Sequence, residues 1–423
     1  METSNGAFNH AESVISAIIE KINGKMNKSR QKFITNLFLL FMGLRGRYNF
    51  LNMARYGNYS EQSYRNNFGE RFDFLGFNIE LIKQKCSPHC ILAFDPSYIP
   101  KSGKQTDHVG YFWSGTSSRA LKGLEIGGLA AIDIENNTAF SLEAIQTPSP
   151  KELKAEGRTL VDHYAQLIVE RSAALLKLSR YLAVDGYFSK HDFIETITAT
   201  GLHIISKLRN DANLMYLHKR EQKTQRGRPQ KYDGKVDVKN IDKRRIRLEY
   251  EDEQSKVYGG IVWSVGLKRE IKLAYVEFWK NGEFTGQYAV LFSTDLNLCG
   301  EQIYSYYKSR FQIEFLYRDA KQHCGLTDCQ GRSENKLHFH FNASLTTVSL
   351  AKAVYYMPRK SKNLKMKKSP REPFSMMDIK TLNTNKIMVD RIFLNLGLDL
   401  NCRKISRIYR DALFLGSIYA KAA

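Results

Sequence analysis

The sequence has no apolar segment long enough to cross a membrane. A transmembrane helix needs about 20 consecutive apolar residues. The most apolar stretch, residues 33–44, contains Thr35, Asn36 and Gly43 and is bounded by basic residues. The N-terminus also lacks a basic start followed by an apolar run, so we expect no secretory signal and no membrane partner.

Cysteine is sparse, with six residues in a chain of 423. With no export signal expected, these residues are predicted to be free thiols in a reducing compartment rather than a disulfide framework. The groups that resemble metal ligands are Cys86 and Cys90, Cys324 and Cys329, and the nearby His89 and His323. Their spacings miss the usual C-x2-C arrangement, so the sequence does not favour a zinc site.

Acidic residues are too few to balance the basic ones. The chain has 43 Asp and Glu against 64 Lys and Arg, which gives a formal net charge of +21. Such an excess indicates a polyanionic partner. A nucleic acid is the first candidate and an anionic membrane surface the second. The 12% aromatic content favours nucleic acid, because aromatic rings stack on bases.

The hydrophobic pattern predicts a mixed α/β protein. Residues 91–206 read as three strands, a helix, a strand, a short helix and a strand. The predicted strands are 91–94, 124–134, 138–146, 181–184 and 203–208, and the predicted helices are 160–178 and 190–199. Alternating residues predict three antiparallel strands between 256 and 294. Helices are expected before residue 70, over 300–324 as one long helix, over 338–356 and after 376.

Two aspartates share one placement in this pattern. Asp95 and Asp185 each follow a short apolar strand and precede a residue that interrupts it. Open α/β sheets place ligand-binding and catalytic groups at such strand ends. Two carboxylates brought together there repel each other unless a divalent cation holds both ionised. The alternative is that each aspartate only caps the turn that follows.

The predicted helix 300–324 carries a polar stripe. Tyr307, Arg310, Glu314 and Lys321 fall within an arc of about 60° on a regular helix. An acid flanked by two cations and a phenol suits metal binding beside phosphates rather than a core face. The alternative is a solvated ladder of ion pairs that runs through Arg318.

These residues resemble a known family. Tyr307-x2-Arg310-x3-Glu314-x6-Lys321 is similar to the YREK signature of bacterial insertion-sequence transposases, which are DDE enzymes with a ribonuclease H-like fold. The resemblance spans roughly residues 30–355. It also includes the sequence around both aspartates. Lys101-Ser-Gly-Lys104 and Lys122 follow Asp95, and Lys207-Leu-Arg209 follows Asp185.

The resemblance implies a fold, a chemistry and partners. It implies a ribonuclease H-like mixed sheet flanked by helices, with a β-rich insertion and helical terminal regions. Asp95, Asp185 and Glu314 would hold two Mg²⁺ or Mn²⁺ ions for cut-and-paste transposition. Double-stranded DNA, both transposon ends and target, would be the substrate of a homodimer in the bacterial cytoplasm, at the nucleoid. The residues expected to contact DNA are Tyr307, Arg310, Lys321, Arg209, Lys101, Lys104 and Lys122.

The same reasoning predicts a domain order. The expected regions are a helical DNA-binding part at 1–70, a catalytic core at 71–208 and 287–356, a basic β-rich insertion at 209–286, and a basic linker with helices at 357–423. Trp263 and Trp279 of the insertion either pack within its own sheet or stack on a displaced base. Two other functions remain open, namely a metal-dependent nuclease without strand transfer and a non-catalytic repressor derived from a transposase.

Overall fold

The computed structural model describes residues 4–22, 26–103, 105–218, 230–356 and 374–417. The helices are α1 (Ser4–Ile22), α2 (Lys28–Gly43), α3 (Phe50–Tyr56), α4 (Glu61–Asn67), α5 (Phe74–Lys85), α6 (Pro150–Ala155), α7 (Leu160–Leu175), α8 (His191–Thr198), α9 (Gly300–Ser309), α10 (Gln312–His323), α11 (Glu334–Ala351), α12 (Met376–Asn395) and α13 (Arg403–Phe414). The strands are β1 (Cys90–Pro100), β2 (Gly110–Ser114), β3 (Arg119–Asp133), β4 (Thr138–Gln146), β5 (Tyr181–Ala183), β6 (His203–Lys207), β7 (Leu214–Leu217), β8 (Tyr232–Lys235), β9 (Arg247–Glu251), β10 (Ser255–Ser264), β11 (Arg269–Lys280) and β12 (Glu283–Ser293).

Within the described residues, the strands form one twelve-stranded mixed sheet in the order β2-β3-β1-β5-β6-β12-β11-β10-β7-β8. Strand β4 also pairs with β3, and β9 pairs with β10. Strands β4, β3 and β1 are antiparallel neighbours, whereas β1, β5 and β6 are parallel. This mixed sheet flanked by helices confirms the predicted ribonuclease H-like fold class. Strands β7 to β12 extend the same sheet.

Each face of the sheet has its own buried core. Along β1, Leu92 and Phe94 point into a cluster with α7 and α8, while Ala93 and Ile99 point into a cluster with α9 and α10. This alternation is the two-residue period of a strand that is buried on both faces. Because Asp95 follows Ala93 by two residues, it lies on the face that α9 and α10 cover.

Helix α11 is buried along most of its length although it is rich in polar residues. Its polar side chains hydrogen-bond to the outer edge of β4. Asn342 accepts from the Ala144 N–H and donates to the Ala144 carbonyl, each at 2.8 Å, and the Ser349 hydroxyl accepts from the Ser141 N–H at 2.8 Å. The backbone N–H and carbonyl groups at the open edge of β4 are therefore hydrogen-bonded by side chains of α11 rather than by a further strand.

The structure bears on the expectations for membrane helices and cysteines, and it leaves two predicted segments undescribed. None of the described helices is both long and apolar enough to cross a membrane. All six cysteines are free. Residues 357–373 of the predicted linker region and residues 219–229 of the predicted insertion lie outside the described residues.

Candidate active site

Asp95 lies inside β1 rather than at its end. We expected the strand to stop at Asp95 and Pro96, and this was wrong, because β1 pairs with β3 as far as Pro100. Its other neighbour, β5, pairs with β1 only at Leu92 and Ala93. Beyond that point one edge of β1 is open, so Pro96 is tolerated without the loss of a central ladder bond. Asp95 therefore lies just beyond the point where β1 and β5 stop pairing, which we call the opening of the sheet.

Asp185 follows β5 at the same opening. Its backbone carbonyl accepts a hydrogen bond from the Ser206 hydroxyl at 3.0 Å, which fixes the position of the chain. The short 3₁₀ turn Gly186–Phe188 comes next, but the Asp185 side chain makes no capping hydrogen bond to it. The simple capping interpretation of this aspartate is therefore not supported. Burial raises the pKa of Tyr307, and the nearby charge of the Asp185 carboxylate adds to this rise.

The predicted helix 300–324 is two helices in the structure. α9 ends at Ser309 and α10 begins at Gln312, so the expectation of one continuous helix was wrong. Around the break the hydrogen bonds span three residues, from the Ile313 N–H to the Arg310 carbonyl and from the Glu314 N–H to the Phe311 carbonyl. This tightening is 3₁₀-like. No Gly or Pro marks it in the sequence.

The break places Arg310 between the acids. Its Nη1 lies 3.5 Å from Asp95 Oδ1, and its Nη2 lies 4.0 Å from Glu314 Oε1. The guanidinium carbon is 5.6 Å from the centre of the Tyr307 ring, and the Asp185 carboxylate lies near Tyr307. Asp95, Asp185 and Glu314 therefore meet around one cation and one phenol. We call these five residues the acid cluster.

The acid cluster has more acid than its cation neutralises. Burial raises the pKa of Asp95 to about 7, Arg310 opposes this rise, and the charges of Glu314 and Asp185 add to it. Burial also raises the pKa of Glu314, with Arg310 opposing and Asp185 adding. Mutual repulsion of carboxylates at a half-buried site is relieved by an added positive charge.

A divalent metal fits the chemistry of these donors. Mg²⁺ takes carboxylate oxygens, and the acid cluster offers three carboxylates. The Nε of Arg310 is buried without a hydrogen-bond partner, so this guanidinium is not fully satisfied where it stands. Within the described part of the chain, no three Asp, Glu, His or Cys side chains are already arranged to hold a metal ion. The guanidinium of Arg310 occupies the space between two of the three acids.

The residues expected to contact DNA differ in whether their charged groups are already hydrogen-bonded within the chain. Lys321 donates to the Ser97 hydroxyl at 2.9 Å and to the Tyr98 carbonyl at 3.0 Å, so it braces β1 next to Asp95. Lys101 donates to the Gly331 carbonyl at 3.0 Å. Both ammonium groups are thus held by the chain itself.

The remaining predicted contacts lie nearer to solvent. Arg209 is exposed and pairs with Asp211 at 3.0 Å. Lys122 is exposed on β3. Lys104 lies outside the described residues.

A cavity of about 710 Å³ opens beside Tyr307, between α9 and strands β11 and β12. Its aromatic and basic lining consists of Phe278, Tyr288, Tyr304, Tyr307, Lys207 and Lys308. We did not single out Tyr304 and Lys308 from the sequence, although they lie on the same helical side as Tyr307. Tyr307 and Lys308 follow Tyr304 by three and four residues, and this helical spacing was the available signal.

Neither tryptophan of the predicted insertion is among the residues that line this cavity. Trp263 lies 5.9 Å from Tyr232, ring centre to ring centre, and Trp279 has the Lys256 ammonium 4.2 Å from its ring centre. The contacts support the expectation that both rings pack against neighbours within the sheet.

Gly128→Ala is expected to destabilise the protein and to disturb the acid cluster through Tyr317, which contacts Asp95. Gly128 pairs with Asp95 across β1 and β3, and an added Cβ would lie 2.0 Å from the hydroxyl oxygen of Tyr317. That hydroxyl donates to the Asp95 carbonyl at 2.6 Å. Overpacking of this kind typically costs about 1–3 kcal/mol of folding free energy. Thermal unfolding should show a lower midpoint than the wild type, and Gly115→Ala, where the added Cβ meets open space, should show none of this loss.

Comparison with known proteins bears on this site. The family model described as transposase DDE domain matches residues 153–350, which include Asp185 and Glu314 and begin after Asp95. A search of curated proteins finds no match to the chain. The match covers the second part of the sheet and the helices that build the acid cluster. Residues 153–350 are therefore similar to the transposase DDE domain, and this similarity supports a DDE transposase family for the chain.

Proposed function

We propose that this chain is a transposase of the YREK type that cuts the ends of a DNA element and joins them to target DNA by a cut-and-paste route. The observation that carries the proposal is the meeting of Asp95, Asp185 and Glu314 around Arg310 and Tyr307 at the opening of the sheet. The family match and the net charge of +21 support DNA as the substrate.

The three carboxylates would hold the divalent ions that DDE transposases generally use. When bound, such ions activate a water or a DNA 3′-hydroxyl and stabilise the departing oxygen. The chain's own residues orient the DNA. The guanidinium of Arg310, which is now shared between Asp95 and Glu314, is placed to exchange these carboxylates for a phosphate, and Tyr307 is placed to hydrogen-bond beside it. Lys321 keeps β1 in position next to Asp95.

The aromatic cavity beside Tyr307 supports a hairpin step. A DNA strand that folds back on itself must expel a base from the stack, and such a base needs aromatic rings and nearby cations. Tyr288, Tyr304 and Tyr307 supply rings, and Lys207 and Lys308 supply charge. We propose that this cavity, rather than Trp263 or Trp279, receives the displaced base.

The DNA-binding regions and the assembly are part of the same proposal. Residues 1–70 contain the helix pair α3 and α4, where the Ser60 hydroxyl caps α4 by accepting from the Ser63 N–H. We propose that this region and the basic insertion 209–286 hold the DNA ends, and that two copies pair them. The regions 71–208 and 287–356 carry the chemistry.

A strand-transfer assay separates this function from its two rivals. Purified protein is incubated with Mg²⁺, a labelled DNA that carries the segments flanking its own gene, and a target plasmid. A transposase gives nicks, hairpin ends and products joined to the plasmid. Cleavage without joining would indicate a nuclease, and retarded DNA without cleavage would indicate a repressor.

Asp95→Asn is expected to stabilise the metal-free protein at pH 8. The pKa of Asp95 is about 7 in the fold against an ordinary value of 3.8. Between these pH values the folded state binds more protons than the unfolded state, so stability falls as pH rises through this window. Above pH 7 the ionised carboxylate costs up to about 4 kcal/mol, and the amide removes this cost.

Thermal unfolding with and without millimolar Mg²⁺ checks this prediction. The wild type should unfold at a lower midpoint than Asp95→Asn at pH 8, and the gap should narrow as the pH falls and close only below about pH 4. Mg²⁺ should raise the midpoint of the wild type but not that of Asp95→Asn, because a ligand stabilises only the state that binds it. Asp192→Asn, a change of an exposed aspartate on α8, serves as the matched control. An equal response of all three proteins to Mg²⁺ would contradict the assignment of Asp95.

A further inference from the structure

Strands β2 and β3 project beyond the rest of the sheet. The pairing of β3 with β1 ends at Gly123, while its pairing with β2 continues from Gly123 to Arg119. Residues 110–114 and 119–123 therefore form a two-stranded extension, which we call the ribbon. Its turn, residues 115–118, is exposed.

The ribbon carries two large aromatic side chains in solvent. Tyr111 is 67% exposed and Trp113 is 63% exposed, whereas Phe112 and Ser114 between and after them are buried. Both rings lie on one face because alternate residues of a strand share a face. Among the ring contacts between described residues, neither ring packs against another aromatic ring. Exposed aromatic pairs of this size indicate a binding surface.

The same face of the ribbon carries an exposed lysine. Lys122 lies directly across from Tyr111 in the β2–β3 register, so its side chain stands beside that ring. Lys122 is exposed and forms no ion pair with any residue that the structure describes. Arg119, at the tip, pairs with Ser114 and so lies on the opposite face. Two aromatic rings next to an unpaired cation match a nucleic acid better than they match an apolar protein surface.

The ribbon continues the face of the acid cluster. Lys122, Leu124, Ile126 and Gly128 alternate along β3 and share one face, and Gly128 lies opposite Asp95. Leu124 and Ile126 pack in the cluster that α9 and α10 cover. Six residues of strand separate Lys122 from Gly128, which is about 20 Å. Helices cover the sheet between these two points, so a DNA strand that leaves the acid cluster passes over those helices to reach the ribbon.

The spacing of the Tyr111 and Trp113 rings determines which form of DNA, single-stranded or duplex, can bind between them. Residues two apart on one strand face stand about 6.8 Å from each other. Stacked bases are about 3.4 Å apart, so one base fits between two rings with a stacking contact on each side. A paired base inside a duplex offers no free face for such contacts. The gap therefore selects an unpaired base.

We propose that Tyr111 and Trp113 hold an unpaired base of a DNA strand between them, with Lys122 on its phosphate. This rests on the proposed function, since the strand is the one that leaves the acid cluster. The ribbon thus gives the enzyme a grip on DNA that has been opened beside the cut. Its affinity favours single strands and frayed ends over blunt duplex.

Fluorescence of Trp113 tests the contact directly. The chain has three tryptophans, so Trp263→Phe with Trp279→Phe leaves Trp113 as the sole reporter. Titration with a single-stranded oligonucleotide should quench its emission, because the base stacks on the indole. A blunt duplex of the same sequence should quench it much less. A change in emission with protein concentration alone, without DNA, would assign the ribbon to contact with a second copy and overturn the proposal.

Affinity measurements complete the test. Tyr111→Ala with Trp113→Ala should weaken binding of the single strand about tenfold or more and binding of the blunt duplex less than about threefold. Ile392→Ala, which removes an exposed apolar side chain on α12 outside the regions proposed to hold DNA, is the matched control and should change neither. If the wild type binds DNA but the double variant binds the single strand equally well, the ribbon proposal fails alone. If the wild type binds no DNA, the proposed function fails with it.

Discussion

Glu314→Gln is expected to abolish DNA cleavage while DNA binding is retained. The substitution keeps the shape of the side chain but removes one of three carboxylates that meet around Arg310. Divalent ions supply several kcal/mol of transition-state stabilisation, so the rate should fall about a thousandfold or more. Binding comes mainly from basic surfaces that the substitution leaves unchanged. A gel shift in Ca²⁺ and a cleavage assay in Mg²⁺ on the same end DNA measure the two properties separately.

A second glutamate of the same helix pair provides the control. Glu301 lies exposed at the start of α9, away from Arg310, and Glu301→Gln should cleave at close to the wild-type rate. Cleavage by Glu314→Gln at that rate would mean that the third acid lies elsewhere. Asp319 would then be a poor substitute, because it is buried and pairs with Arg318 at 3.2 Å. The rate of Glu301→Gln in the same assay then shows whether Glu301 is that acid.

Binding to end DNA is expected to weaken steeply with salt. The chain carries a net charge of +21, and each phosphate contact releases counterions from the DNA. With six to ten such contacts, affinity falls about 10³- to 10⁵-fold between roughly 50 and 200 mM salt. Fluorescence anisotropy of a labelled end over this range gives the slope of log K against log salt.

A single exposed lysine calibrates that slope. Lys122→Ala should reduce its magnitude by about one, since it removes one phosphate contact. Lys83→Ala on α5, where the lysine already pairs with Glu80 at 3.1 Å, should leave the slope unchanged. A slope near zero for the wild type would point to a partner other than nucleic acid.

The sequence predicted the parts of the fold that local pattern determines. The strand 138–146 coincides with β4, and the predicted strand and helix order of 91–206 gives the central part of the sheet. Apolar runs and alternation fix such elements locally. The sequence singled out Asp185 and Glu314 as candidates because a carboxylate next to a strand end, or in a polar helical stripe, departs from that pattern.

The local sequence pattern could not predict features that depend on contacts between residues distant in the chain. The break between α9 and α10 has no Gly or Pro, and it became visible only from the hydrogen bonds around Arg310. The extension of β1 past Pro96 depends on where β5 stops. Lys321 reads as a phosphate contact in sequence, yet its ammonium is bound by Ser97 and Tyr98, more than 220 residues away. Tertiary packing decides each of these cases.

The central claim is that Asp95, Asp185 and Glu314 bind a divalent ion. A crystal of the protein soaked in Mn²⁺ tests it most directly, because the anomalous scattering of manganese locates the ion without reference to activity. The account predicts a peak among the three carboxylates, with the Arg310 guanidinium withdrawn from the space between Asp95 and Glu314. No peak at the acid cluster, or a peak held by other residues alone, would contradict it.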